Sequence, residues 1–452
     1  MTKNLTVGKP LTLLFFFALP MVGGNLFQQL YNMVDTMVVG KFVGEDAVAA
    51  VGSSYPITFL SIAIANGLSM GSNVVVSQLF GAGRIREMKT TISTALLALG
   101  GLGLLVTILG QFIAEPLLRL LGTDADIFAS AAQYLHIYFG SALFLFLFNS
   151  LNSVYNALGN SRTPLFFLFC AAMINIGLDI LFVVKFSMAV AGVAWATFIA
   201  QMLCSLASLV VLLVRLRHLP DEEGAPTGKR PIYNHTAVTR IAKIGVPSMF
   251  QQSLVSISML LMQNLVNSFG KVYVAGYTAA TKIDSLCLLP NTNFSNAMSS
   301  YTAQNIGAGK QERVHEGLRA CLFMVVMFAV TITVIIYLFG EMLMALFLNP
   351  GEAGSAMSYG VQYMRIVSPF YPLMGILFAG NGLLRGAGDM NFVVVNSLTN
   401  LTCRAVLAYL LSPIIGCAAI AWSIPIGWAA GCIVSQLRYH SGAWKGKSAI
   451  AG

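Results

Sequence analysis

Apolar residues run along this chain in long continuous stretches, as over 96–109 and 320–339, and not in the alternation of an exposed strand. A membrane-spanning helix needs roughly 20 consecutive apolar residues, whereas a barrel strand shows about ten alternating ones. The pattern therefore predicts helices over 12–40, 47–80, 88–113, 128–158, 164–186 and 189–216. A second set falls over 237–268, 272–306, 314–347, 356–386, 391–412 and 415–438. That makes twelve spans, several longer than the bilayer is thick and so tilted or protruding. The apolar start at Leu11 is too long for a cleaved signal peptide and reads as a retained first span.

Composition agrees. Hydrophobic types make up 57% of the 452 residues and charged types only 10%, with a mean hydropathy of +0.76. A soluble protein carries about a quarter charged residues, so soluble enzymes, nucleic-acid binders and disordered scaffolds are excluded for the whole chain. The net charge of +9 fits cytoplasmic loops better than a nucleic-acid partner. With the N-terminus inside, 19 Lys and Arg fall on inner segments and 4 on outer ones. This distribution predicts both termini in the cytoplasm of a multi-pass membrane protein; the membrane is expected to be the inner membrane of a bacterium. The seven cysteines lie singly in apolar stretches, without a C-x-x-C pair. Neither a metal-protease motif, a P-loop nor a nucleophile elbow is present. The chain is therefore expected to be no enzyme and to hold no cofactor.

The polar stretch 217–236 divides the chain into an N-terminal lobe, 1–216, and a C-terminal lobe, 237–440, followed by a tail, 441–452. The lobes repeat. Gln78-Leu79-Phe80-Gly81-Ala82-Gly83-Arg84 returns as Gln304-Asn305-Ile306-Gly307-Ala308-Gly309-Lys310, and Leu19-Pro20 returns as Val246-Pro247. Gly159-Asn160 is matched with Gly386-Ala387, and Asn175 with Asn400. Six spans per repeat keep one orientation. The expected architecture is an all-α polytopic membrane protein: two parallel six-helix lobes related by a pseudo-two-fold along the membrane normal, as in transporters.

Of 17 acidic residues, only Asp35, Asp179 and Asp284 fall inside predicted spans. Each such charge costs about 2.5–3.5 kcal/mol on insertion scales, which makes it a functional candidate. Asp35 and Asp179 come at similar depth, in the outer half. Asn175 lies one turn below Asp179, and Thr197 enters at comparable depth from the sixth span. Polar stripes accompany them: Gln28, Tyr31 and Asp35 on the first span; Asn149, Asn152 and Asn156 on the fourth; Thr197 and Gln201 on the sixth. Two close carboxylates repel in low dielectric, so either one holds a proton or a hard cation sits between them. Either answer makes a site whose occupancy by H⁺ or Na⁺ alters local charge. In the second lobe the position of Asp35 carries Met262, and that of Asp179 lies near Arg404. Asp284, with Lys282 two residues away, is expected to be partnered or water-exposed, and coupling to be confined to the first lobe.

These residues resemble the multidrug and toxic compound extrusion (MATE) family over about residues 8–440. The resemblance is carried by Pro20 with Val34-Asp35-Thr36, the paired Gln-x-x-Gly-Ala-Gly-basic loops, Leu158-Gly159-Asn160, Asn175-x-x-x-Asp179 and Arg404-Ala405-Val406-Leu407-Ala408-Tyr409. It implies export of organic, often cationic and amphipathic compounds in exchange for Na⁺ or H⁺ by alternating access; with both lobes in one chain, a monomer is expected to suffice. For the branch with acids in the N-terminal lobe, it implies a cation site (Na⁺ or H⁺) at Asp35, Asn175, Asp179 and Thr197. Gln28 and Asn152 would belong to the surrounding network, which the polar stripes extend to Tyr31, Asn149 and Gln201, and helix bending would occur at Pro20. A related alternative is a flippase for lipid-linked oligosaccharides, but the intramembrane basic residues it would need are few.

Overall fold

The computed structural model describes residues 3–224, 228–348 and 353–450. Residues 1–2, 225–227 of the expected linker, 349–352 and 451–452 of the expected tail lie outside the described residues. The first half contains α1 (Pro10–Phe42), α2 (Glu45–Gly81), α3 (Ile85–Leu120), α4 (Ala125–Gly140), α5 (Ala142–Ala157), α6 (Arg162–Asp179) and α7 (Ala189–His218). The second contains α8 (His235–Ser268), α9 (Lys271–Gly307), α10 (Gln311–Ala345), α11 (Ala353–Val367), α12 (Tyr371–Ala387), α13 (Met390–Ile415) and α14 (Ala418–His440). Among the described residues, ten continuous helical stretches are long and apolar enough to cross a membrane, or eleven if α4 and α5 form one span.

The remaining expected span is α9. At 37 residues it is long enough, but polar side chains dilute its apolar character. Asn291, Asn293, Ser295, Ser299 and Thr302 are all buried, so the protein and not lipid surrounds them. That is the condition under which a polar helix is tolerated at membrane depth.

Two expected single helices are broken, at equivalent places in the repeat. The helix expected over 128–158 bends by 49° between α4 and α5. Ser141 stands at the break and its hydroxyl donates to the carbonyl of Tyr138 at 2.7 Å, a local bond that competes with the helix ladder. The helix expected over 356–386 is interrupted by a tight turn at Ser368–Phe370, where Pro369 lacks the amide proton a continuous helix needs.

The chain divides into two compact units that differ from the sequence boundaries. One comprises 1–3 and 20–249, the other 4–19 and 250–452. Residues 217–249, expected as linker and start of the second lobe, thus belong to the first unit, and 4–19 to the second. Local bonds explain the exchange. In the first unit, Arg240 bonds Glu87 at 2.8 Å, and Lys89 donates to Asp221 at 2.6 Å. That lysine holds the Asp221 carboxyl below its ordinary range. In the second unit, the amide of Leu5 donates to Gln304 at 2.9 Å, and Lys310 donates to the carbonyl of Thr6 at 3.1 Å.

Within each unit the same helix pairs touch. α5 packs on α2 and α3, and α6 on α7; in the other unit α12 packs on α9 and α10, and α13 on α14. The Gly-Ala-Gly loops cap α2 and α9 identically, with Gly83 and Gly309 both at φ +72°. The left-handed glycine equivalent to Gly159 (φ +71°) is Gly388 (φ +91°). This corrects the match to Gly386, because only a glycine enters that conformation without a Cβ clash. Asn160 therefore pairs with Asp389, and Asn152 with Asn381.

Helices α2 and α8 approach closely inside the first unit. A Cβ on Gly67 would stand 2.4 Å from the Met249 Cα, and one on Gly71 would stand 2.2 Å from the Ile241 carbonyl oxygen. Small residues let spanning helices pack backbone to backbone. Gly71→Ala is accordingly expected to destabilise the protein by about 1–3 kcal/mol, the usual overpacking cost. Thermal unfolding of the purified protein in detergent measures it, with Gly100→Ala, which meets nothing within 4 Å, as the control.

Candidate functional site

A cluster of valines assembles the site. Val38 and Val39 of α1 are buried together with Val183, in the turn after α6, and Val190 and Val193 of α7. Each of three candidate residues lies four positions from one of these valines: Asp35 from Val39, Asp179 from Val183, Thr197 from Val193. Packing the valines therefore brings the three polar groups to one level. The turn after Asp179 is a π-helical segment, Ile180–Lys185. Such widened turns leave backbone and side chains displaced from the regular spiral and recur at functional sites.

Asp179 is fully buried and Asn175 is 1% exposed. The Asn175 amide donates to the Thr197 hydroxyl at 3.2 Å, and the Tyr31 and Thr197 hydroxyls are 3.4 Å apart. The carboxyl groups of Asp35 and Asp179 are within hydrogen-bonding reach of one another, and Tyr31 stands beside both. Both oxygens of Asp179, Oδ1 of Asp35 and Oδ1 of Asn175 are buried without a hydrogen-bond partner among the described residues. Two unit charges about 4 Å apart repel by about 4 kcal/mol at an effective dielectric of 20. That is far above thermal energy, so the pair needs a shared positive charge. The free donor set consists of carboxylate and amide oxygens with a hydroxyl adjacent, which are hard ligands that fit a proton or Na⁺.

The remaining expected network is brought together only in part. Asn152 and Asn156 each bury an unpartnered Oδ1 on α5. Gln201 is half-buried on α7, one turn from Thr197, whereas Gln28 is exposed on α1. Asn149 donates to the carbonyl of Leu145 on its own helix at 2.8 Å, which keeps its amide within α5. Pro20 lies inside α1, which is continuous from Pro10 to Phe42.

Sequence reasoning passed over Tyr134. This α4 residue lies near both acids and stacks on Tyr138, whose hydroxyl donates to the Thr58 carbonyl at 3.2 Å. A pair of tyrosines at i, i+4 in an apolar span was the available signal, since a phenol there needs an inward polar partner.

Asp284 of α9 is partnered, but by residues other than Lys282. It accepts from the Tyr371 hydroxyl at 2.6 Å and the Tyr363 hydroxyl at 3.4 Å. Lys282 is exposed, its ammonium 5.9 Å from the Phe347 ring centre.

Comparison with known proteins places this architecture. The MatE family pattern matches residues 20–181 and 247–410, one match in each half. The probable multidrug resistance protein YpnP of Bacillus subtilis is 32% identical over 445 residues, covering 98% of this chain and 97% of that one. An FAD transporter of Shewanella oneidensis is 24% identical over 401 residues, covering 88% and 87%. A solved structure described as an outward-facing multidrug resistance MATE family transporter of the MOP superfamily has the same fold, with a TM-score of 0.88. It is 23% identical, and the match covers 98% of this chain and 99% of that one. The protein is a polytopic helical membrane transporter, not an enzyme, and the chain belongs to the MatE family.

The Thr197 hydroxyl is the group that links Asn175 to Tyr31. Replacing it with Val removes a hydrogen bond worth about 1–1.5 kcal/mol and should weaken cation binding about tenfold, while Thr197→Ser should retain it. Cation-dependent shifts in unfolding temperature, titrated with Na⁺ and with pH, read the difference. Unaltered binding in Thr197→Val would place the cation elsewhere.

Proposed function

We propose that this chain exports organic compounds, typically cationic and amphipathic ones, by antiport with H⁺ or Na⁺ through alternating access. The observation that carries this reading is the pair formed by half-buried Asp35 and fully buried Asp179, in which both Asp179 oxygens and Oδ1 of Asp35 are buried without a hydrogen-bond partner among the described residues. In the proposed cycle, one coupling cation binds to Asp35, Asn175, Asp179 and Thr197. Binding replaces carboxylate repulsion with attraction and draws α1 toward α6 and α7. Release restores the repulsion and loosens α1. Pro20 is the point at which α1 bends, because a proline removes one backbone bond of the helix and crowds the preceding turn.

Multidrug resistance and export are also what several relatives are named for, which supports export over the oligosaccharide flippase reading. On the positive-inside distribution, the protein resides in a bacterial cell membrane with both termini in the cytoplasm. Two repeated units in one chain suffice for a monomer to work. The 21 methionines and 29 phenylalanines suit adaptable binding of varied ligands.

Uptake of a fluorescent organic cation into inside-out vesicles, driven separately by a proton gradient and a sodium gradient, tests the proposal. FAD is included as a second substrate. At least one gradient should drive uptake. Asp179→Asn and Asp35→Asn should each abolish the driven component with the protein still folded and inserted. Wild-type uptake in both variants would refute the site.

A further inference from the structure

Where α5 and α7 end, the first unit encloses a cavity of about 360 Å³ that the coupling site does not use. Its volume falls within the range of small-molecule sites, about 300–1,000 Å³. Its lining is of two kinds. Leu158, Val214, Leu216 and Leu219 are apolar, whereas Asn160 and Arg215 are polar. Arg215 belongs to the last turn of α7, and Arg162 opens α6, so the cavity lies at the ends of spanning helices, where a membrane gives way to water.

Arg215 is held in place by neutral groups. Its Nη1 donates to the Thr163 hydroxyl at 3.0 Å, and its Cζ lies 5.7 Å from the centre of the Tyr155 ring. The same hydroxyl accepts from the Asn160 amide at 2.8 Å, and Asn160 is buried. With Nη1 engaged, the Nε and Nη2 edge of the guanidinium remains, the fork that fits two oxygens of a phosphate. Among the described residues Arg215 has no acidic partner. Elsewhere in the same unit Lys89, Arg86 and Arg240 each have a carboxylate oxygen close by, at 2.6, 3.8 and 2.8 Å. Two further cations near the cavity lack an acidic partner among the described residues. One is Arg162; the other is Lys3, whose amide donates to the Leu158 carbonyl at 3.1 Å. Positive charge is therefore uncompensated here, beside an apolar lining. A ligand that satisfies both has an anionic head and an apolar body.

The apolar lining also continues beyond the cavity. Val214 is exposed and follows Leu203, Leu206 and Val210 at the spacing of one helix face, the four being 44–59% exposed. On a spanning helix such a face meets lipid. We infer that this cavity binds the head group of an acidic phospholipid. The phosphate meets the open edge of Arg215, and an acyl chain leaves past Val214 along the apolar stripe of α7. Basic pockets between spanning helices at the membrane surface hold such head groups. A water-soluble anion would leave the stripe and the four apolar lining residues unused. The lipid acts as a structural ligand, since Arg215 on α7 is already bonded to α6 through Thr163, and Asn160 follows α5. The inference needs only that these helices span a membrane, and does not depend on the coupling ion.

Unfolding temperatures of the full chain in detergent test this without reference to transport, because a ligand that binds only the folded form stabilises it. Phosphatidylglycerol should raise the unfolding temperature of the wild type by several degrees, and phosphatidylcholine by much less. Arg215→Gln should lose most of the phosphatidylglycerol effect. Arg217→Gln removes the same charge two residues along, outside the cavity lining, and should keep it. Equal losses in the two variants would mean diffuse attraction to a basic surface and overturn the inference, as would an undiminished effect in Arg215→Gln. Inorganic phosphate and glycerol phosphate form the soluble arm, and protection by either that equals the lipid's would overturn the lipid assignment. If Arg215→Gln does not fold, the wild type alone decides. Phosphatidylglycerol with a photoreactive acyl chain should label residues 203–219 well above the other lipid-facing helices. Even labelling of all of them would overturn the inference.

Discussion

Two carboxylates that share one apolar enclosure cannot both remain charged without help. Everything else in the first unit is arranged around that constraint. The valine cluster of α1, α7 and the π turn fixes the separation of Asp35 and Asp179 through packing, which is stiff. Asn175 and Thr197 are held by a mutual hydrogen bond, so their remaining oxygens are presented in a set direction. An enclosure of this kind is high in energy when empty of positive charge and relaxed when it contains one. Under the proposed cycle, this difference is what an ion gradient acts on. Without it, a cation that bound both conformations equally would shift no equilibrium.

The two units separate the roles of packing and charge. Their helices touch in the same pairs, their fourth spans break at equivalent places, and their left-handed glycines coincide. A common bundle is therefore stable with a carboxylate or a guanidinium on the helix that follows the fourth span. What differs is the set of polar groups that each bundle encloses. In the first unit the carboxyl groups of Asp35 and Asp179 stand beside one another, and in the second the single carboxylate of Asp284 accepts from the Tyr371 and Tyr363 hydroxyls.

Much of this was legible in the sequence. Spans, the repeat and the pairing of Asp35 with Asp179 followed from apolar length, from the paired Gly-Ala-Gly loops and from the cost of an intramembrane charge. All three are local or additive properties. What was missed depends on three-dimensional contacts. The breaks at Ser141 and Ser368 occur inside apolar runs, where hydropathy does not change. Tyr134 is ordinary in sequence and significant only because α4 turns it to the acids. The match of Gly159 to Gly386 was off by two residues, since glycines at 386 and 388 are alike in sequence and only a positive φ tells them apart. Lys282 is near Asp284 along the chain, but two residues apart on a helix is nearly the opposite side. The tyrosines of α11 and α12 reach the acid instead.

The exchange of segments between units carries a mechanical consequence. Only α1 and α8 contribute residues to both units, and the boundaries at 19–20 and 249–250 fall at or just after Pro20 and Pro247. Each helix therefore changes unit where a proline has already removed one backbone hydrogen bond, so bending there costs less than elsewhere along the helix. Asp35 lies on α1, fifteen residues beyond Pro20, while the start of the same helix is held in the second unit by the bonds of residues 5 and 6. Under the proposed cycle, a change of charge at Asp35 is a force on one end of a lever whose other end is anchored in the opposite unit. No chain of intervening side chains is then needed to carry the signal, because the helix itself is the physical connection. α8 has no acid at the matching position, Met262. Under the proposed cycle it has no charge there for a coupling cation to neutralise.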